Sequence, residues 1–443
     1  MAAAEQKQSI GLLMTSAIVV GTMIGAGIFL LPVSLAPLGV NAVIGWIVSA
    51  IGALCIAFAL SRLVRAEGGG IQSYVEAVFG PTAGFVVTWA FWVSTWTSMA
   101  ALAIAAAAAL SRIFPAFSDS WSIAMVGIAT TLAVMGVNAR GIRAASGFAL
   151  VTVAIRVLPL LAVVAVVITR QIKAQPLAPL AQVPVTTDHI ATAVALTMFA
   201  MLGFEAATAP VGKVRNPTRT IPLALLSGTA VVGLIYLFSS TAVSLILSPE
   251  ATATSLAPYA DALKANWGEA AVQFAALGIA IAAIGCLNSN LLCAGELGYS
   301  MALRGDLPAT LARTSRSNTP VASQLLAAGL TILLVLLNTS KSTAELFTFM
   351  ILLATSSTIV LYAVGALAAL RTRQPPLAKI VIAASILFSL FVFYGAGAEA
   401  NLWGVVLLAI GLAVRWFFRR FNSSASTIPA EAPNPAEPPG SSA

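Results

Sequence analysis

Charge is what this chain has least of. Only 9% of its 443 residues are Asp, Glu, Lys or Arg, against 59% hydrophobic, and such a chain cannot cover a globule with water-compatible surface. Its mean hydropathy of +0.96 excludes an ordinary soluble domain. Histidine occurs once, as His189, and with no second ligand beside it that ring reads as an interfacial residue, not a metal ligand. The cysteines Cys55, Cys286 and Cys293 lie inside apolar runs without CxxC or Cys/His spacing. They are expected to be small buried thiols, with neither a disulfide framework nor a metal. No cofactor is expected either. A membrane enzyme would gather acid, base or metal groups near a membrane surface, and this sequence offers no nucleophile–base pairing. The net charge of +8 is spread over short loops between apolar runs, so nucleic acid is not the expected partner.

What is present is a succession of apolar runs. Runs of roughly 18 residues or more, bounded by charges, Pro and Gly, number about 12 and predict an all-α polytopic membrane protein. They lie near 11–35, 40–64, 83–113, 120–138, 147–170, 189–211, 221–247, 268–300, 321–338, 345–370, 377–395 and 400–418. Alternating the loops between the two sides leaves Arg112, Arg170, Lys173, Lys264 and Lys341 on one face. The other Lys and Arg, Arg156 apart, fall on the opposite face, a bias of roughly three to one that places both termini in the cytoplasm. Residues 1–10 form the cytoplasmic N-terminus, and the first run, which has no small-residue cleavage site, is a retained span. Residues 421–443, rich in Ser, Pro, Ala and Glu, are expected to be a disordered cytoplasmic tail. The segment Glu67-Gly68-Gly69-Gly70-Ile71 to Pro81 reads as a short amphipathic helix at the cytoplasmic interface, with an ordinary loop helix as the alternative.

The first run is interrupted at Gly21-Thr22-Met23-Ile24-Gly25-Ala26-Gly27. A loosened backbone survives in hydrocarbon only where it lines a cavity or holds a ligand; close helix packing is the competing explanation for small residues at this spacing. A break would free amides of Gly25, Ala26 and Gly27 at the positive end of a half-helix, which suits a carboxylate. The sixth run carries a second interruption at Phe199-Ala200-Met201-Leu202-Gly203-Phe204-Glu205. Paired interruptions in matching positions point to an inverted-repeat transporter with substrate between the breaks. The units would be 11–170 and 189–370, five spans each, with 377–420 adding spans eleven and twelve. A channel would instead favour a pore-lining ring and oligomeric symmetry.

These marks resemble the amino acid–polyamine–organocation superfamily, and within it the bacterial amino acid/polyamine antiporter group. They are Gly25-Ala26-Gly27-Ile28-Phe29 with Pro32; Gly69-Gly70, Tyr74 and Ala77-Val78-Phe79-Gly80-Pro81; Gly203-Phe204-Glu205; and Asn216-Pro217-Thr218-Arg219-Thr220-Ile221-Pro222. The resemblance implies a LeuT-like fold, a bacterial inner membrane and secondary-active transport, with helices 1 and 6 broken at mid-membrane. It implies a substrate carboxylate on the amides around Ala26 and Gly27 and an ammonium on carbonyls near Met23, Phe199 and Leu202. Ile24, Gly25 and Gly203 complete the broken backbone. In the arginine antiporter of this group, serine stands at the place of Ala26, tryptophans at those of Phe199 and Asn290, and asparagine near Met99. With these cation-binding faces missing, a neutral amino acid is expected over arginine; a proton-coupled amino acid or polyamine symporter is the alternative. Membrane lipid is a second partner, and a homodimer is left open.

Two ionisable residues fall well inside the spans, Arg156 and Glu205. Arg156 is either functional or snorkelling to an interface; relatives without sodium coupling resemble this chain in carrying a cation here, usually lysine, so sodium-independent transport is expected. Arginine stays protonated and cannot carry the proton itself. Glu205 is either a proton site or a neutral acid holding the broken backbone, with Phe204 beside it in the gating region. In the third run, Trp89, Trp92 and Trp96 are expected to pack, leaving Phe91, Thr95 and Met99 as pocket contacts. The hydroxyls of Thr355-Ser356-Ser357-Thr358 either line the pathway or bond back to their own helix.

Overall fold

In hydrocarbon the backbone must satisfy its own polar groups, and long apolar runs therefore become helices. The computed structural model describes residues 11–63, 70–139, 143–204, 214–315 and 319–425. In chain order the helices are α1 (Leu12–Met23), α2 (Leu31–Leu35), α3 (Val40–Ser61), α4 (Ile71–Phe79), α5 (Pro81–Ser111), α6 (Ser120–Ala139), α7 (Arg143–Ile172) and α8 (Thr187–Met201). They continue with α9 (Pro217–Ile246), α10 (Pro249–Thr254), α11 (Pro258–Asp261), α12 (Lys264–Leu303), α13 (Val321–Leu337), α14 (Thr343–Arg371), α15 (Pro376–Gly395) and α16 (Gly397–Ala425). No β-strand occurs among the described residues.

Nine helices among the described residues are long and apolar enough to cross a membrane. The other three expected spans coincide with shorter helices, α1 of 12 residues, α8 of 15 and α13 of 17. The first is short because its run breaks: α1 stops at Met23, a 3₁₀ turn covers Ala26–Phe29, and α2 follows. α8 ends at Met201 with Leu202 extended and Gly203 at φ +108. Residues 205–213, including Glu205, lie outside the described residues.

Burial ranks the helices. The most apolar stretch of α5 is 89% buried and that of α16 only 11%, so α5 is the central rod and α16 a peripheral one. α5 packs on α12 and α14; α1 packs on α9, and α3 on α8 and α9. The short helix after α3 forms as expected, with Ile71, Tyr74 and Val75 buried against α5 and α14. Its glycine turn is described only from Gly70 onward. One boundary is corrected: α16, expected to give way to the tail at 421, stays helical to Ala425, and 426–443 lie outside the described residues.

Candidate functional site

The break in α1 is held open from three sides. Met23 is the last helical residue, and its carbonyl accepts the Tyr236 hydroxyl of α9 at 2.8 Å and the Gly25 amide at 2.6 Å. Arg156 of α7 is 5% exposed and donates through one Nη to the carbonyls of Gly21 (3.3 Å) and Ile24 (3.1 Å). A guanidinium is thus seated on the negative end of the half-helix, where a cation is favoured. Burial at the break excludes a snorkelling Arg156. From α8 comes the third support. A Cβ on Gly203 would lie 2.9 Å from the Thr22 carbonyl oxygen, and a Cβ on Gly27 would lie 2.3 Å from Cε1 of Phe199. The interruptions in the two helices therefore touch, glycine against backbone and glycine against ring.

Where they meet there is a cavity of about 400 Å³. Its wall includes Met23, Gly25, Gly27, Arg156, Phe199, Leu202, Gly203 and Asn290, all singled out from the sequence. Ile24 and Ala26 are fully buried behind it and do not line it; Ile24 contributes its carbonyl to Arg156 instead. Phe204 is also buried outside the wall, stacked on Tyr362 with ring centres 5.1 Å apart. Ala26 and Gly27 open the 3₁₀ turn without a side-chain cap. Two expectations about backbone groups need correction: the Gly25 amide is bonded to Met23, and the Met23 carbonyl already accepts two donors. A carbonyl has two lone pairs, so this one has no capacity left for an ammonium.

α5 supplies Phe91, Ser94, Thr95, Ser98 and Leu102 to the wall. Phe91 and Thr95 were expected there; Met99 was expected too, but it is fully buried and off the wall. At 100° per residue it lies roughly 80° round the helix from the middle of that stripe. Ser94, Ser98 and Leu102 were missed, although their three- and four-residue steps from Phe91 and Thr95 mark one helical face. The tryptophans occupy the far side and pack, Trp89 donating to the Leu407 carbonyl and Trp92 to that of Ala294. α12 adds Cys286, Ser289, Asn290 and Cys293; the Asn290 amide donates to the Cys286 carbonyl at 3.0 Å. Cys286 is buried, whereas Cys55 and Cys293 are half-buried.

The hydroxyl run on α14 divides its roles. Thr355 and Ser357 bond back to the carbonyls of Ile351 and Leu353, and Ser356 donates to Asn401. Only Thr358 reaches the cavity, where it hydrogen-bonds Ser94. No Asp or Glu lines the wall among the described residues. No group of His, Cys, Asp and Glu able to hold a metal occurs among them either.

The amino acid permease family matches residues 10–414. The chain belongs to this family. The permease is 30% identical over 346 residues to the cadaverine/lysine antiporter of Escherichia coli (strain K12), covering 76% of this chain and 78% of that one. It is 27% identical over 428 residues to the putrescine transporter PotE of Haemophilus influenzae, covering 93% and 97% of the two chains. With PotE of Escherichia coli (strain K12) the identity is 25% over 426 residues, 92% and 95% of the two chains. Family membership makes this a multi-pass transporter of small molecules and not an enzyme, within the amino acid–polyamine–organocation superfamily.

Proposed function

We propose that this permease is a sodium-independent exchanger of neutral amino acids, gripping one zwitterion in the cavity between the α1 break and the end of α8. The observation that carries the reading is the meeting of those interruptions, Gly27 against Phe199 and Gly203 against Thr22, at the wall of one cavity. The uncapped turn at Ala26–Phe29 is the place for the carboxylate. Carbonyls at the end of α8, near Phe199 and Leu202, receive the ammonium in place of the engaged Met23. The wall holds one guanidinium and no carboxylate among its described residues, so a second cationic group on the ligand would find no counter-charge there. A size limit follows from the volume, about 400 Å³, at the small end of the range for ligand pockets. Arg156, bonded to Gly21 and Ile24, provides the fixed charge that replaces a sodium ion.

The architecture that goes with this reading has twelve spans, two inverted units over 11–170 and 189–370, and both termini cytoplasmic. On that orientation the cavity, which reaches Met14 and Ala17 near the start of α1, faces the cytoplasm. A second reading, a polyamine substrate with proton coupling, is favoured by two observations: the relatives named for cadaverine and putrescine, and Glu205, two residues beyond the lining Gly203.

Counterflow in proteoliposomes, across the amino acids, cadaverine and putrescine, with and without sodium or a pH gradient, separates the readings. Saturable exchange of a neutral amino acid indifferent to sodium is the expected result. Exchange confined to diamines, or uptake that requires sodium, overturns it. Conductance without saturation would indicate a channel.

A further inference from the structure

A second cavity, of about 240 Å³, lies where α3 ends, α14 ends and α15 begins, with α4 across it. Those three long helices are apolar enough to span, so their ends lie at the level of lipid headgroups. Its wall is basic: Arg62 and Arg373 line it, beside Tyr74, Thr372 and Gln374, and no Asp or Glu does among the described residues. The carboxylate on α4, Glu76, is taken by Arg304 at 3.0 Å. Elsewhere Arg112, Arg304, Arg415 and Arg419 are matched with carboxylates; no ion pair of Arg62 or Arg373 is found among the described residues. Arg62 is nonetheless aimed. Its Nε donates to Gln374 Oε1 at 2.8 Å, and the Gln374 amide donates to Thr372 at 2.6 Å. That chain leaves the two terminal nitrogens of the guanidinium for a ligand with two acceptor oxygens.

We propose that this cavity binds a phosphate-bearing anion through the guanidiniums of Arg62 and Arg373. Next to it, Leu377 (73% exposed) and Ile380 (66% exposed) present the first turns of α15 to the acyl-chain region. A phosphodiester in the cavity could continue into chains lying along that face, so an anionic phospholipid is the source this surroundings suits, with free phosphate as the other source of the same chemistry.

The test is lipid retention by the purified full chain in native mass spectrometry, titrated with phosphatidylglycerol. Arg373→Gln is the decisive variant, because the Arg373 side chain makes no hydrogen bond or ion pair among the described residues and its loss removes a charge without breaking one. Apparent affinity is expected to fall about fivefold for Arg373→Gln and again for Arg62→Gln/Arg373→Gln, as one basic residue near a membrane surface contributes. Arg313→Gln, which removes an exposed charge outside the cavity, is expected to bind as the unaltered chain does. Inorganic phosphate that displaces the lipid at millimolar concentration assigns the site to the free anion; failure to displace assigns it to the lipid. Retention unchanged in Arg373→Gln and in the double variant, or reduced equally by Arg313→Gln, overturns the proposal.

Discussion

Gly27→Ala tests whether the ring of Phe199 and the α1 break form one surface. The new methyl would sit 2.3 Å from Cε1 and 3.1 Å from Cδ1 of Phe199. Carbon atoms settle near 3.5–4.0 Å, so the ring must retreat by roughly 1.2 Å or more. Gly27 does not need a positive φ, and the perturbation is therefore steric and not a backbone strain. Overpacking usually costs 1–3 kcal/mol, and with an adjoining cavity to yield into, the loss of stability should be about 1 kcal/mol. The cost to function should be larger, since the displaced ring would enter the cavity proposed for the ligand. In counterflow the expected result is a KM raised at least tenfold, about 1.4 kcal/mol, in protein that remains monodisperse. Gly27→Ala/Phe199→Leu should recover most of that loss, and the coupling between the two positions should exceed about 0.5 kcal/mol, as for residues in contact. A Gly27→Ala chain that transports with the original KM refutes the reasoning, and so does a double variant no better than the single one.

Two further outcomes follow from the charged groups. Arg156→Met removes a donor to Gly21 and Ile24 and should lower stability by about 2 kcal/mol, the usual value of a charged hydrogen bond. Arg156→Lys should recover part of it, with thermal unfolding in detergent as the readout. Asp306 is 2% exposed and pairs with Arg415 at 2.9 Å and Arg419 at 2.8 Å. Asp306→Asn leaves Arg415, itself 5% exposed, without its counter-charge and should cost about 3 kcal/mol. Arg419→Gln, removing a partner whose side chain is 46% exposed, should cost under about 1 kcal/mol. Equal losses for the two would contradict the assignment.

Much of the candidate site's backbone was legible because a broken membrane helix is a local event. Glycines at 21, 25, 27 and 203 interrupt apolar runs, and the helices do stop at Met23 and Met201. What could not be read was rotation about the helix axis. Met99 and Ser98 are neighbours in sequence, yet Ser98 lines the cavity and Met99 packs away from it. Partners distant in the chain were equally hidden. Nothing near Met23 announces that Tyr236, 213 residues on, will occupy its carbonyl. Likewise Asp306 and Arg415, 109 residues apart, meet only when α16 lies against α5.

By itself the sequence determined the solvent, the helical backbone and the sites of the breaks, because each is a sum over neighbouring residues. Tertiary structure alone decided which face of α5 forms the wall, which carbonyls are still available to a ligand, and that a phenyl ring lies on Gly27. Those depend on how rods far apart in the chain are turned against one another, and hydropathy carries no term for that.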